Sequence, residues 1–264
     1  MIAPDGRYDH HVFSSRYDGT EGQRLSVETR DSQGLRRLET YAYADPDGGP
    51  WPRRAGRNLI FMDNEDRTAQ HRPLRRRDIM QEGVTYTWNV IEFDPFLHPI
   101  RSTRSNTQPE QIVLDQSEQV LNHTGRWVLG LPLRTFNNTT NEEVDRLVYD
   151  PGALLPTERY RFGRRTMGYA YDPRGQMIRQ VDGIGRTTTF GNYKRGVPGS
   201  VSYPDGRSLQ VDVDNLGQVI RVGDQTGVST FYGYDPIGRL ARIDYPSGDN
   251  VSWAPKTIQY TFST

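Results

Sequence analysis

The stretch that decides the fold runs from Tyr169 to Phe190, YAYDPRGQMIRQVDGIGRTTTF. It contains Gly175 and Gly185, and each of these opens a ladder. Gly175, Gly196, Gly217 and Gly238 stand 21 residues apart. Gly185, Gly206, Gly227 and Gly248 repeat that step, offset by ten. Two phased glycine series define four consecutive 21-residue units over about 167–250.

Other columns keep the same phase. Asp172, Asp214 and Asp235 stand three residues before a first-series glycine, and Tyr193 takes that place in the remaining unit. Upstream come alternating pairs: Tyr169 and Tyr171, Val211 and Val213, Tyr232 and Tyr234. Downstream come Met177-Ile178, Val219-Ile220 and Leu240-Ala241, each followed by an arginine: Arg179, Arg221 and Arg242. Asp182, Asp224 or Tyr245 then leads into the second glycine turn. Aromatic and β-branched residues fit a pleated, half-buried surface. Asp bonds its own downstream backbone, Pro presets φ, and Gly accepts positive φ without steric cost. The pattern predicts two strands of about six residues per unit, turning back at Asp-Pro-x-Gly, Pro-Asp-Gly or Asp-x-x-Gly. The expected fold is all-β, a repetitive antiparallel meander.

An earlier unit carries one inserted residue, with Tyr149-Asp150-Pro151-Gly152 followed by Gly163. Further upstream the pattern degenerates to Tyr17-Asp18-Gly19 and to YAYADPDG at 41–48, with a strand-like alternation at Thr85-Tyr86-Thr87-Trp88. The segment 50–83 breaks the rhythm with Pro50, Pro52, Pro73 and many charges, and reads as a loop or insertion. The stretch 109–121 is either a short helix or a strand, since its periodicity favours neither. Thr139 and Thr140 with Glu142 and Glu143 form either a capping box or a turn at a strand boundary.

Composition supports a folded but thin protein. Mean hydropathy is −0.79, yet 15 Tyr, 9 Phe and 4 Trp are present. A disordered chain is poor in aromatics. The 33 basic residues balance 33 acidic ones, which argues against a dedicated nucleic-acid binder. No apolar run is long enough for a membrane-spanning helix, and the N-terminal residues show no signal-peptide core. With no cysteine there are no disulfides and no thiolate metal sites.

Several local motifs invite chemical readings that their context weakens. Gly183-Ile184-Gly185 begins like a nucleotide loop, but Thr188 stands where the third glycine belongs and a strand follows. Asp212-Val213-Asp214 begins like a calcium loop, but Leu216 and Gly223 stand at ligand positions. His10, His11, His71, His98 and His123 show no metal-ligand spacing. The basic run His71-Arg72-Pro73-Leu74-Arg75-Arg76-Arg77 lies among Asp63, Glu65, Asp66 and Asp78, as a solvated loop does. The Tyr and Arg columns suit either cross-strand packing or the stacking of anionic sugars. Sequons occur at Asn122, Asn137, Asn138 and Asn250. No residue set points to catalysis or to a cofactor, so the expectation is a protein that is not an enzyme.

The strings at 169–190 and at 231–253, FYGYDPIGRLARIDYPSGDNVSW, resemble the YD repeats of the RHS family, which is related to Tc-toxin shells and teneurins. The fullest form is Tyr-x-Tyr-Asp-x-x-Gly-Arg-Leu at Tyr232 to Leu240, including Arg239. WVLGLPLRTF (127–136), YKRGVP (193–198) and SYPDGRS (202–208) resemble stretches between such repeats. The resemblance divides the chain into a degenerate region, 1–124, and a repeat region, 125–264, whose 21-residue units are clear at about 167–250. It implies an arc or partial spiral of a β-shell around a C-terminal toxin, secreted or held at a bacterial cell surface. The partners implied are the rest of that shell and the enclosed polypeptide; the alternative is a surface module that binds glycans or proteins. No stretch matches the self-cleavage region that RHS cores carry ahead of the toxin, so the chain reads as a fragment of a longer protein.

Overall fold

The computed structural model describes residues 6–15, 22–44, 49–50, 73–111, 113–246 and 253–261. Among them are nineteen strands and one 3-10 turn, Thr124–Arg126. The chain divides into two compact units, 1–146 and 147–264. The division falls inside one strand, Glu142–Tyr149.

The first unit contains β1 (Tyr8–Phe13), β2 (Arg24–Asp31), β3 (Gly34–Tyr43), β4 (Leu74–Gln81), β5 (Val84–Phe93), β6 (Pro99–Asn106), β7 (Leu114–His123), β8 (Val128–Asn137) and the start of β9 (Glu142–Tyr149). Each pairs antiparallel with its sequence neighbour. The second unit contains β10 (Pro156–Arg161), β11 (Arg164–Tyr171), β12 (Met177–Asp182), β13 (Thr187–Gly191), β14 (Ser200–Ser202), β15 (Ser208–Val213), β16 (Val219–Asp224), β17 (Ser229–Tyr234), β18 (Leu240–Asp244) and β19 (Lys256–Thr257). These also pair in sequence order. The fold is an all-β antiparallel meander, as the glycine ladders predict. First-series turns lie along one edge of the second unit's strands, and second-series turns lie along the other.

Three expectations are resolved or corrected. The stretch 109–121 supplies β7, not a helix. The residues at 139–143 form a strand-boundary turn, in which Asn137 Oδ1 accepts from the Thr139 and Thr140 amides. The loop expected over 50–83 is wrong at its C-terminal end, where Leu74–Gln81 is β4. Its charges hid a strand because ion pairs, one across to β3 and one along β4, take the place of apolar contacts there. Arg77 bonds Glu39 on β3 at 2.6 Å, and Arg76 bonds Asp78 at 2.8 Å. Residues 51–72, Tyr17-Asp18-Gly19, Asp45 to Gly48, Gly248 and the Asn250 sequon lie outside the described residues.

The register carries its own repeat. In β11–β12, β15–β16 and β17–β18 it slips just beyond the turn, leaving Ile178, Ile220 and Ala241 unpaired as bulges. The hairpins β12–β13 and β16–β17 keep an even register. A bulge bends its strand and raises the local twist, so bending recurs beside the Gly175, Gly217 and Gly238 turns, while β13–β14 beside Gly196 keeps an even register. Burial is thin. The buried hydrophobics among the described residues are Val27, Ala44, Val90, Phe93, Leu154, Val201 and Val213. Most other strand residues are half-buried, as in a layer wetted on both faces.

Candidate functional site

The turn carboxylates show what the Asp column does. Asp172 Oδ1 accepts from the amides of Arg174 and Gln176 at 2.9 Å. Asp214 does the same for Leu216 and Gln218, and Asp235 for Ile237 and Arg239. The glycine amide closes each of the Asp172 and Asp235 turns by bonding the Asp carbonyl at 2.9 Å. Gly175, Gly217 and Gly238 hold φ of 80°, 92° and 84°, the left-handed region in which L side chains are strained. On the other edge Asp182 and Asp224 build the same turn around Gly185 and Gly227.

Arginine completes several of these turns. Arg239 Nε bonds Asp235 Oδ2 at 2.8 Å, Arg186 bonds Asp182 at 2.6 Å, and Arg207 bonds Asp205 at 2.6 Å beside Gly206. Each carboxylate is therefore held below the usual range. For Asp182 the Arg186 side chain is the main cause, and for Asp235 it is the Arg239 amide. Gly196 belongs to a different turn: Arg195 and Gly196 both have positive φ between the bridged Lys194 and Val197, the two-residue type I′ pattern.

Tyrosine hydroxyls tie several units to an earlier strand. Tyr171 Oη donates to the Pro156 carbonyl at 2.9 Å, and Tyr234 Oη donates to that of Val219 at 2.8 Å. Tyr193 donates to Met177, and Tyr260 to Leu240 at 2.9 Å. Met177, Val219 and Leu240 all follow a first-series glycine by two. Burial raises the phenol pKa of Tyr171, Tyr193 and Tyr234. These hydroxyls are committed to the backbone, which favours packing over sugar contact as the reading of the column. Val213 stands in the same column without a hydroxyl and is buried instead.

Sequence reasoning missed the most heavily bonded carboxylate. Asp94 is 5% exposed. Its Oδ1 accepts from the amides of Phe96 and His98 at 2.8 Å, and its Oδ2 accepts from Asn122 Nδ2 at 2.8 Å and meets His98 Nδ1 at 3.0 Å. Asn122 Oδ1 in turn accepts from the Gly130 amide. A Cβ on Gly130 would lie 2.3 Å from the His98 ring, so the ring requires glycine there. Burial pushes the Asp94 pKa up, but the hydrogen bonds from Asn122, His98 and Phe96 outweigh it and lower the value. This is the repeat turn again, with Leu97 at φ 71° in the glycine seat. The sequence signal was Phe93-Asp94-Pro95, an aromatic-Asp-Pro triplet without its glycine.

The weaker motifs find structural roles. Gly183 to Gly185 sit in the hairpin between β12 and β13, and Asp212 pairs with Arg221 at 2.6 Å. His123 Nδ1 accepts from the Arg126 amide. Asn122, Asn137 and Asn138 all carry hydrogen bonds. Among the described residues no cluster of metal-binding side chains is present, and no helix is long and apolar enough to cross a membrane.

Comparison with solved structures gives a Tc holotoxin pore from Photorhabdus luminescens, TM-score 0.53 at 13% identity, covering 92% of this chain and 12% of that one. A TcdB2–TccC3 complex gives 0.51 at 12% identity, with the same two coverages. The chain shares the fold of the stretches it matches in these Tc-toxin structures. The chain spans 12% of the length of each matched chain. No family model matches the sequence, and no curated protein does. In this meander the Asp column fixes the individual turns, and the Tyr hydroxyls tie hairpins to earlier strands.

Proposed function

We propose that the chain is a non-catalytic wall segment of an RHS-type shell, one that encloses a C-terminal toxin polypeptide and helps deliver it outside the producing cell. The observation that carries this reading is the internal commitment of the repeat's polar groups. Turn carboxylates are bonded by their own loop amides, and column tyrosines by backbone carbonyls. Such a unit is built to continue a wall, since stacked repeats gain stability from their neighbours. The likeness to a Tc holotoxin pore supports a shell-type role.

The test is limited proteolysis of the natural full-length product that carries these residues. The expected result is a polypeptide outside the repeats that resists protease in buffer and is digested once mild urea opens the wall. Equal digestion under both conditions would overturn the reading.

A further inference from the structure

One face of the first unit carries a row that runs across the strands. Tyr41 on β3, Arg77 on β4, Trp88 on β5, Arg104 on β6 and Leu114 on β7 are successive cross-strand partners. The neighbouring row places Ile79, Tyr86 and Asn106 alongside. Apart from Tyr41, these residues line an open groove.

The charges on this face are unbalanced. Arg37 and Arg77 share one carboxylate, Glu39, which also accepts from Tyr41 Oη. Arg24 lies over the Tyr41 ring at 5.4 Å. Further carboxylates on the face lie away from the groove's centre: Asp9 of β1 accepts from Thr29, and Glu118 of β7 accepts from Gln116. The guanidinium of Arg104 is exposed and has no hydrogen bond or ion pair among the described residues. The groove thus holds, among the described residues, an unpaired fork of donors with Trp88 and Asn106 in the same lining.

We propose that this groove binds an acidic polypeptide segment, extended across β4 to β6, with a carboxylate on Arg104. Trp88 packs against the Ala44–Val90–Phe93 core and is half-buried. Part of its ring is therefore covered, and the unpaired Arg104 charge favours a carboxylate-bearing segment over a stacked neutral sugar. Arg77 and Arg104 are two strand spacings apart, roughly 9.6 Å, a span that about three residues of extended chain cover. Acidic residues three apart, with apolar residues between them, match the groove. The site is local to the first unit and exists whether or not the wall closes around a cargo.

The test is calorimetric titration of the full chain with the peptide acetyl-Glu-Leu-Phe-Glu-amide and with its Gln-Leu-Phe-Gln counterpart. The acidic peptide binds, and added salt weakens it. Arg104→Gln weakens it about tenfold, the scale of a charge-assisted contact. Arg164→Gln, an exposed arginine of the second unit, leaves affinity unchanged. The proposal fails if the acidic peptide does not bind, or if Arg104→Gln binds it equally well. It also fails if an oligo-uronate binds where the peptide does not. None of these outcomes bears on protease protection of an enclosed polypeptide.

Discussion

Asp94 in the first unit and Asp235 in the second hold the same turn by the same pair of amide bonds. Their surroundings differ. Asp235 stands at an edge turn with Gly238 in the left-handed seat and Arg239 folded back on its second oxygen. Asp94 is buried, has Leu97 in that seat, and gives its second oxygen to Asn122 and His98. The shared element is the carboxylate with its two loop amides; the glycine is the economical way to complete it. Where glycine is absent, longer strands and a bonded cluster hold the turn instead.

Removing the carboxylate from each turn tests this contrast most strongly. Asp94→Ala leaves two amides, an imidazole and a side-chain amide without their acceptor in a buried site. The expected loss is about 3 kcal/mol of unfolding free energy, measured by urea denaturation. Asp235→Ala exposes its amides to water, and its loss is smaller. Equal losses would mean that burial at Asp94 adds nothing. The pH dependence has a defined sign. The folded pKa of Asp94 is depressed, so its contribution is complete above the ordinary carboxylate value of about 3.9. It disappears as pH falls through the folded value. The deficit of Asp94→Ala therefore shrinks below about pH 4.

The tyrosine latch gives a smaller effect. Tyr234→Phe removes the 2.8 Å bond to the Val219 carbonyl while keeping the ring. The expected cost is about 1 kcal/mol, read as a lower urea midpoint with an unchanged slope. Val213 shows that a unit tolerates the column without a hydroxyl when the side chain is buried. No change on Tyr234→Phe would make the ring, and not the bond, the link between units.

The second unit was legible because its turns are written in residue types. Asp and Gly at fixed offsets are the turn, so the ladder of Gly175 to Gly238 is also a map of one strand edge. The first unit was less legible for two physical reasons. Strand β4, LRRRDIMQ, is held by guanidinium–carboxylate pairs that apolar periodicity does not register. The Asp94 cluster joins residues from three places in the chain: Asn122 gives no local sign that it meets Asp94, nor Gly130 that it lies against His98. The one-residue insertion after Asp150 was visible, but its consequence was not. The turn there lengthens by one residue and puts Leu154, buried, at φ 58° in the left-handed seat.

The smallest expected effect comes from restoring the missing glycine. Leu97 pays a left-handed strain of roughly 1–2 kcal/mol, which Leu97→Gly removes. Against that gain stand the loss of a half-buried leucine, about 1 kcal/mol, and the added freedom of glycine in the unfolded chain, about 0.5–1 kcal/mol. The terms nearly cancel, so Leu97→Gly is expected to shift stability by less than about 0.5 kcal/mol. Asp94 and its four partners then hold the turn whichever residue fills the seat. A loss above about 1.5 kcal/mol would show that the leucine side chain itself secures the turn, and the two units would then use different means to make the same bend.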